Sequence, residues 1–327
     1  MKATAIANSN IALVKYWGKY DEKLNLPMNG SISLTLDALK TTTTVNFSEK
    51  FKEDIIKING KDVKDVSKKN IISHLDLIRK LAKIKYKAEI ASENNFPMGT
   101  GLASSASGYA ALTVAACAAA GLDLDKKGLS IISRQGSGSA CRSIYGGYVE
   151  WLAAKKSEES YAAQIADENY FDIRDIVAIV VSEEKKTSSR NGMTMTVKTS
   201  PLYHARLSTV NENLGKIKKA ILNKDFTSVG QIAEFDSLLM HATMLTTKPA
   251  LLYWSSGTIS VMQVVEELRN EGVEAYYTID AGPNVHVLVL PENSKEVERR
   301  LREVSGIINV VHNKPGGDAE ISKKHLF

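Results

Sequence analysis

The chain has 327 residues, of which 43% are hydrophobic and 24% charged, and its formal net charge is +5. This length suits one large or two medium-sized domains, and the composition is that of an ordinary globular protein. The mild positive charge fits an anionic small molecule as ligand. No compact Lys/Arg patch with interleaved aromatic residues is present, which argues against nucleic-acid binding.

The cysteines and the hydropathy of the sequence indicate the cellular compartment of the protein. The two cysteines, Cys117 and Cys141, do not form a Cys-x-x-Cys pair, and a disulfide scaffold is not expected at this length. The first residues lack the apolar segment of a secretory signal, and no apolar run reaches membrane-spanning length. We therefore expect a cytoplasmic protein with no membrane partner.

Alternating and β-branched stretches predict strands in the first third of the chain. These strands are Lys2–Ala7, Ser31–Leu39, Thr42–Phe47, Ile55–Ile58 and Tyr86–Ser92. A long loop is expected over residues 8–29. Apolar residues at helical spacing predict a helix over Ser67–Ile84, and an Ala-rich stretch predicts another over Ser105–Ala120.

The second part of the chain mixes helices and strands. Asp125 is predicted to cap a helix that ends at Arg134. Further helices are expected over Leu202–Leu222, Thr227–Met240, Ile259–Glu271 and Ser294–Val304, and strands over Tyr148–Leu152, Ile173–Val181, Ala275–Ile279, Val285–Leu290 and Ile307–Val311. Apparent antiparallel pairs without regular βαβ alternation favour an α+β fold. We expect lobes at residues 1–184 and 185–327, with a ligand cleft between them.

One stretch, Pro97–Ala106, is typical of a phosphate-binding loop. Gly99 and Gly101 let backbone N–H groups approach a ligand, because no Cβ is in the way. The loop runs into the Ala-rich helix, whose N-terminus favours an anion, and its first turn carries several serines. It lacks the Gly-Lys-Ser/Thr of a Walker A loop. The alternative is a tight turn before a small-residue helix.

A second Gly/Ser-rich segment, Gly136–Arg142, could form another anion-binding loop. Ser137 and Ser139 offer hydroxyls, and Arg142 offers a fork of donors to a phosphate or carboxylate. Two such segments in one chain are harder to explain as simple turns than one.

Two further segments carry charges where loops are expected. Lys15 and Lys19 lie four residues apart and could hold an anion, although a solvated lysine pair beside a packed Trp17 is an alternative. Asp280 lies on a tight turn after a predicted strand, which suits a catalytic carboxylate and equally suits a turn-capping residue. Together, two anion sites, several cations and one carboxylate indicate phosphoryl transfer from a nucleoside triphosphate.

The sequence contains no motif typical of zinc binding or of cysteine-based catalysis. The six histidines form no His-x-x-x-His or His-Glu-x-x-His pattern, so a zinc site is not predicted. Cys141 has no identifiable partner base, and we interpret it as an inert small residue. No carboxylate in the phosphate loop is clearly placed to bind Mg²⁺, so the metal ligands stay open.

Four segments together resemble a known family. Asn10–Lys19, Gly101–Ala106, Gly136–Ser143 and Asp280–Asn284 occur in the order found in the galactokinase, homoserine kinase, mevalonate kinase and phosphomevalonate kinase superfamily, and within it closely resemble the diphosphomevalonate decarboxylases. The resemblance spans nearly the whole chain. It implies a two-lobed small-metabolite-kinase fold, with a ribosomal protein S5 domain 2-like N-terminal lobe and a ferredoxin-like C-terminal lobe.

The resemblance also implies an activity. ATP, with Mg²⁺, would phosphorylate the 3-hydroxyl of mevalonate 5-diphosphate, and loss of phosphate and carbon dioxide would yield isopentenyl diphosphate for isoprenoid biosynthesis. It further implies a homodimer.

Residue roles follow from the same resemblance. Asp280 matches the catalytic aspartate and Lys15 the lysine beside it. The residues matched to substrate binding are Tyr16, Trp17, Gly18, Lys19, Lys69, Ser137, Gly138, Ser139, Ala140, Cys141, Arg142, Ser189 and Arg190. Those matched to ATP binding are Asn10, Gly99, Gly101, Leu102, Ala103, Ser104, Ser105, Ser107 and Lys185.

Three alternatives stay open. A decarboxylase of the 5-monophosphate would use the same cations. A 3-kinase that stops after phosphorylation is disfavoured because that subgroup lacks both the aspartate and the lysine, whereas Lys15 and Asp280 are present here. A non-catalytic sensor of the same fold would have lost a catalytic group, and none of the matched ones is missing.

Overall fold

The computed structural model describes residues 1–96, 104–181 and 187–327. Its helices are α1 (Asp65–Ala82), α2 (Ser104–Ala119), α3 (Lys126–Gly136), α4 (Ser189–Thr199), α5 (Tyr203–Leu222), α6 (Phe226–Leu245), α7 (Ser256–Asn270) and α8 (Ser294–Glu303). Its strands are β1 (Lys2–Val14), β2 (Lys19–Asp21), β3 (Leu26–Pro27), β4 (Ser31–Ser48), β5 (Ile55–Ile58), β6 (Lys61–Asp62), β7 (Lys87–Asn94), β8 (Tyr148–Trp151), β9 (Ala162–Ala166), β10 (Arg174–Ile179), β11 (Ala275–Thr278), β12 (Val285–Val289), β13 (Asn309–Asn313) and β14 (Glu320–Ser322). The predicted α+β class is confirmed. None of the helices in the described ranges is long and apolar enough to cross a membrane.

The larger sheet has the strand order β14-β1-β4-β7-β5-β6, and β8 and β9 extend it from β4. All of its pairs are antiparallel except β5 with β7. The two ends of β4 have different partners, because Ser31–Leu34 pairs with β8 and Thr41–Ser48 pairs with β7. This long strand therefore joins both parts of the sheet.

The first strand is longer than predicted. We expected a loop over residues 8–29, but β1 continues to Val14 and pairs with β4 along its length. Register shifts at Asn8/Asn10 and Ala12/Val14 break the ladder, and the last eight residues are all buried. A strand covered on both faces has no two-residue hydrophobic period, so its pattern does not distinguish it from a buried loop. Because β1 extends to Val14, the next residue, Lys15, lies in the interior of the protein.

Several other predictions needed correction. The two strands expected between Ser31 and Phe47 are one continuous strand, β4, since no turn-forming residue separates them. The second Gly/Ser segment is not an open loop, because it forms the end of α3 and a 3₁₀ helix, Gly138–Ile144. Strands β9 and β14 were not predicted. The cap of α3 is confirmed, since the Asp125 side chain accepts a hydrogen bond from the Gly128 N–H.

Helix α2 packs against β1 and β4 of the larger sheet. Its alanines let the helix approach the strands closely, and Ala110, Ala111 and Ala115 are fully buried. The helix therefore presents its N-terminal residues, Ser104 and Ser105, at a fixed position beside the sheet.

The smaller sheet is antiparallel, with the order β11-β12-β10-β13. Helices α7 and α8 cover one face through a cluster that includes Val261, Val265 and Leu301. Helices α5 and α6 lie on the other side, where Val210 and Val229 join one hydrophobic core with residues of both sheets. Helix α6 contacts both β1 and β11, so it lies between the two sheets.

The division into lobes at residues 184 and 185 stays a proposal. Strand β10 pairs with β12 and β13, so Arg174–Ile179 belongs to the smaller sheet. Strand β14 returns to pair with β1 in the larger one. Strand pairing thus favours a division before Arg174, with the last strand crossing back to the first lobe.

Candidate active site

A cavity of about 800 Å³ lies where the predicted functional segments meet. Residues from both halves of the chain line it. The wall includes Lys15, Tyr16, Trp17, Lys19, Ser104, Ser105, Ser137, Gly138, Ser139, Arg142, Ser189, Arg190 and Asp280. The fold therefore brings segments that are up to 265 positions apart in sequence to one surface.

The centre of the wall is an ion pair between Lys15 and Asp280. The Lys15 Nζ lies 2.7 Å from the Asp280 Oδ1, and the two side chains are 1% and 26% exposed. Lys15 directly follows β1, and Asp280 lies in the turn between β11 and β12. The proximity expected from sequence is therefore present, with the lysine buried and part of the carboxylate open to the cavity.

The electrostatics of this pair keep the carboxyl group ionised. Burial raises the pKa of Asp280, but the charge and hydrogen bond of Lys15, with His286 and Arg142, lower it further, so the pKa lies below its ordinary value. Burial lowers the pKa of Lys15, and Asp280 opposes this shift. A negative charge on Asp280 is thus available to a ligand at neutral pH.

Arg142 lies on the 3₁₀ helix that follows α3, and it is 2% exposed. Its Nη2 donates to the Asn10 Oδ1 at 3.1 Å, and its Nη1 donates to the Ser31 hydroxyl. No carboxylate of the described residues forms an ion pair with its guanidinium. The negative charge of Asp280 acts on this guanidinium without direct contact, so an anionic ligand group in the cavity would give the arginine a contacting partner.

The Gly/Ser segment before Arg142 lines the cavity through Ser137, Gly138 and Ser139. A Cβ at Gly138 would meet the ring of Trp151 at 2.8 Å and the ring of Tyr16 at 2.9 Å, so glycine is required at this close approach. The Ser137 hydroxyl lies 3.3 Å from the Ser105 hydroxyl, which joins this segment to α2.

The segment after β1 forms another part of the wall. The ring of Tyr16 packs edge-on against Trp151, with centroids 4.6 Å apart. Lys19 donates to the Asn25 Oδ1 at 2.6 Å. Burial and the nearby charge of Arg190 lower the pKa of Lys19 to about 8. Two cations therefore face the same region of the cavity.

Arg190 and Ser189 open α4, which Ser188 caps by accepting a hydrogen bond from the Asn191 N–H. The Arg190 Nη2 donates to the Gly136 carbonyl at 3.4 Å. The second half of the chain thus supplies a cation to the Gly/Ser segment of the first half. The sequence indicated this segment by its hydroxyls and cations at the start of a helical region, and the family resemblance added the substrate role.

The serines of α2 divide into two kinds. Ser104 and Ser105 line the cavity at the helix start. Ser107 is fully buried and exchanges a hydrogen bond with the Thr41 hydroxyl at 2.7 Å. Its geometry favours a structural role that fastens α2 to β4.

Some predicted site residues lie away from the cavity wall. Asn10 is 1% exposed and lies behind Arg142, and Lys69 is exposed on α1. Gly18, Ala140 and Cys141 are likewise absent from the wall. Cys141 is fully buried, and burial raises its pKa to about 12, which fits an inert residue. Gly99, Gly101, Leu102, Ala103 and Lys185 lie outside the described residues.

One arm of the cavity was missed by the sequence analysis. What we call the apolar arm is formed by Ile56, Ile58, Val63, Ile71, Ile90, Tyr109 and Leu112. Polar residues from the same segments also line the cavity, namely Asn59, Lys61, Asp62, Ser67, Asn70, Ser92 and Asn94. These residues come from short strands, α1 and α2, and none belongs to a recognisable motif. The apolar residues at positions 55–58 predicted a strand but did not indicate a cavity wall.

The described residues contain no group of three or more His, Cys, Asp and Glu side chains that could hold a metal ion. Mg²⁺ at nucleotide sites is commonly bound by one or two carboxylates together with phosphates and water. The Asp280 carboxylate and the hydroxyls of Ser104 and Ser105 are oxygen ligands on the cavity wall that fit such a site.

Comparisons with known proteins agree on one family. Residues 7–162 match the model of the diphosphomevalonate decarboxylase-like N-terminal domain, and residues 175–322 match that of the mevalonate 5-diphosphate decarboxylase C-terminal domain. Diphosphomevalonate decarboxylase from Bos taurus is 39% identical over 91% of this chain and 79% of its own length.

Solved structures give the same result. Mevalonate diphosphate decarboxylase from Staphylococcus aureus is 40% identical and superposes with a TM-score of 0.94 over 98% of both chains. The complex of MDDEF with MVAPP, AMPPCP and magnesium is 40% identical, with a TM-score of 0.93 over 99% of both chains. The chain therefore belongs to the diphosphomevalonate decarboxylase family.

Proposed function

We propose that this protein catalyses the ATP-dependent decarboxylation of mevalonate 5-diphosphate to isopentenyl diphosphate, with ADP, phosphate and carbon dioxide as the other products. The observation that carries this proposal is the Lys15–Asp280 ion pair, which lies on one cavity wall with Arg142, a guanidinium that contacts no carboxylate of the described residues. Relatives with that activity in their names, and a similar structure that holds a nucleotide analogue and magnesium, support it.

The start of α2 is the proposed phosphate end of the ATP site. The N–H groups of the helix's first turn and its dipole favour an anion, and Ser104 and Ser105 add hydroxyls beside them. The apolar arm continues the same cavity and offers Ile56, Ile71 and Tyr109 to a flat base. ATP would thus extend along the cavity, with its phosphates towards Asp280.

The acceptor would occupy the opposite wall. Arg142 presents a planar fork that suits the carboxylate of mevalonate, and Asn10 fixes its orientation from behind. Lys19 and Arg190 would hold the diphosphate together with the hydroxyls of Ser137 and Ser139. This assigns Asn10 to positioning Arg142, instead of to the contact with ATP expected from the resemblance.

In the first step, the 3-hydroxyl oxygen attacks the γ-phosphorus of ATP, the bond to the β-phosphate oxygen breaks, and ADP leaves. Asp280 accepts the hydroxyl proton. A carboxylate with a lowered pKa is a weak base, but phosphoryl transfer passes through a loose transition state in which the proton need not leave early. Lys15 keeps this acceptor ionised and in place.

In the second step, the C3–O bond breaks and phosphate leaves with the bonding electrons. The C1–C2 bond then breaks, its electrons form the C2–C3 double bond, and carbon dioxide departs. The tertiary hydroxyl is a poor leaving group, whereas its phosphate is a good one. Positive charge that develops at C3 is stabilised by nearby anions, of which the departing phosphate is one.

Bound Mg²⁺ would neutralise charge on the ATP phosphates, with Ser104, Ser105 and Asp280 as candidate oxygen ligands. A cytoplasmic location is part of the proposal, and both cysteines are free and buried, as a reducing compartment allows. The homodimer implied by the resemblance stays a prediction.

A carbon dioxide release assay tests the proposal. With ATP and mevalonate 5-diphosphate, we expect stoichiometric release of carbon dioxide and ADP. Preference for the 5-monophosphate would identify the alternative decarboxylase, and ADP formation without carbon dioxide would identify a 3-kinase. No turnover of any of these substrates would identify a sensor and contradict the proposed activity.

A further inference from the structure

One turn of α6 contacts the backbone on both sides of the Lys15–Asp280 pair. We infer that Asp236 and Ser237, neighbours on this helix, are positioning residues that hold the lysine and the carboxylate at contact distance. Neither residue belongs to the family motifs, and neither lines the cavity. The inference rests on the proposed function of the pair, which it deepens.

Asp236 holds the lysine side. Its Oδ2 accepts a hydrogen bond from the Lys15 N–H at 2.6 Å, and its side chain is 0% exposed. Arg206 of α5 compensates the buried charge, because its Nη2 lies 3.5 Å from the same oxygen and donates to the Lys15 carbonyl at 2.8 Å. Asn29 donates to this carbonyl as well, at 2.9 Å. Both polar groups of the Lys15 backbone are therefore held by buried side chains.

Ser237 holds the aspartate side. Its hydroxyl donates to the Ile279 carbonyl at 3.1 Å and accepts from the Ile279 N–H at 2.9 Å. The Ile279 carbonyl belongs to the peptide group that joins Ile279 to Asp280, so this serine fixes the peptide immediately before the catalytic carboxylate. The His241 Nε2, one turn further along α6, lies 3.3 Å from the same carbonyl.

The two contacts come from consecutive residues of one long, rigid helix. A helix of 20 residues that is packed between two sheets changes shape little, so it sets the separation of β1 and the β11–β12 turn. A displacement of about 1 Å at a reacting group can cost on the order of 100-fold in rate. Positioning through the backbone leaves both side chains available for chemistry.

The test compares Ser237→Ala with Thr243→Ala. Thr243 is a buried residue of the same helix, and in the part of the chain that the structure describes its hydroxyl donates to the Met240 carbonyl at 2.7 Å, within α6. Both variants lose one buried hydroxyl, but only the first loses contact with the catalytic turn. Asp236→Asn, which keeps an acceptor but loses the charge, is the second variant in case Ser237→Ala does not fold. The readouts are kcat, KM and the acid limb of the kcat–pH profile, with ATP and mevalonate 5-diphosphate.

We expect Ser237→Ala to lower kcat by about tenfold with KM values within about twofold, because the substrate contacts are intact. Its acid limb should move to higher pH, since a looser Lys15 contact lets the pKa of Asp280 rise. Thr243→Ala should retain the wild-type kcat and acid limb. An unchanged kcat, an unmoved acid limb, or equal effects in both variants would overturn the inference. If the wild-type protein released no carbon dioxide, the proposed function itself would fail instead.

Discussion

Arg142 is a buried cation on the cavity wall that contacts no carboxylate of the described residues. It is 2% exposed, and among the described residues its guanidinium donates to the neutral side chains of Asn10 and Ser31. The negative charge of Asp280 offsets part of the cost of burying this guanidinium, and a bound carboxylate would offset more of it. The arginine therefore selects for an anionic substrate group as well as orienting it.

Replacing this arginine should weaken substrate binding. Arg142→Met removes the fork, and we expect a loss of about 2–4 kcal/mol in apparent affinity for mevalonate 5-diphosphate, with a smaller change for ATP. Steady-state KM values and calorimetric titration measure this. Arg302→Met, at a half-exposed arginine on α8, is the control. An unchanged KM in Arg142→Met would contradict the proposed contact.

Lys19 should make substrate capture sensitive to pH. Its pKa is lowered to about 8, so its positive charge is lost as pH rises through that value, well below the range of an ordinary lysine. We expect kcat/KM for the diphosphate substrate to fall between about pH 7.5 and 9.5. Lys19→Arg should shift this fall to higher pH, because arginine keeps its charge. A profile in which the wild type and this variant coincide would exclude Lys19 from binding.

At the scale of elements, the turn after β1 requires a glycine, because α5 lies very close to the backbone of Gly18. Gly18 has φ = +103°, and a Cβ there would lie 1.8 Å from the Tyr203 hydroxyl oxygen of α5. The same hydroxyl donates to the Trp17 carbonyl at 2.8 Å. The glycine thus acts through backbone geometry, although the resemblance assigned it to substrate binding.

We therefore expect Gly18→Ala to destabilise the fold by about 2–4 kcal/mol, through backbone strain and overpacking together. Gly215→Ala is the matched control, because this exposed glycine of α5 has nothing within 4 Å of its added Cβ. It should stabilise the helix by about 0.5–1 kcal/mol. Urea denaturation measures both. Equal effects of the two substitutions would show that the close approach does not matter.

The elements differ in how far the sequence predicts them. Helices α1, α5 and α7 and the strands around Asp280 were predicted within a few residues, because the spacing of their apolar residues marks them. The end of β1 was missed, since it is buried on both faces and interrupted by register shifts. Short edge strands such as β14 carry too few residues for any pattern.

The residues of the site likewise divide into those that the sequence predicted and those that it missed. The motif residues Lys15, Arg142 and Asp280 were predicted, and they lie on one wall. Asp236 and Ser237 were not, because they lie inside a helical pattern and act through backbone groups. The apolar arm was not predicted either, since tertiary packing assembles it from several short segments. Sequence patterns therefore indicate reacting groups better than the groups that position them.

At the scale of the molecule, the two sheets share a hydrophobic core. One cluster contains Ile11 and Leu34 of the larger sheet, Val229 of α6, and Val177 and Leu288 of the smaller sheet. A large apolar interface opposes independent motion of two lobes, because separation would expose it to water. The cavity wall is thus formed by one packed body.

We expect this shared core to make unfolding a single transition. Differential scanning calorimetry should give one peak whose calorimetric and van't Hoff enthalpies agree. Saturating ATP or substrate should move that peak to higher temperature as a whole, by mass action on the folded state. Two separated peaks, of which a ligand moves only one, would show that the lobes fold independently.

The central claim is that the Lys15–Asp280 pair carries the chemistry, and one measurement tests it directly. Asp280→Ala should lower the rate of carbon dioxide release from mevalonate 5-diphosphate by about 10²–10⁴-fold, because Asp280 acts on the acceptor hydroxyl, while the affinity for ATP measured without Mg²⁺ stays within a few-fold. Arg302→Met again serves as the control. An Asp280→Ala protein that releases carbon dioxide at the wild-type rate would contradict the account.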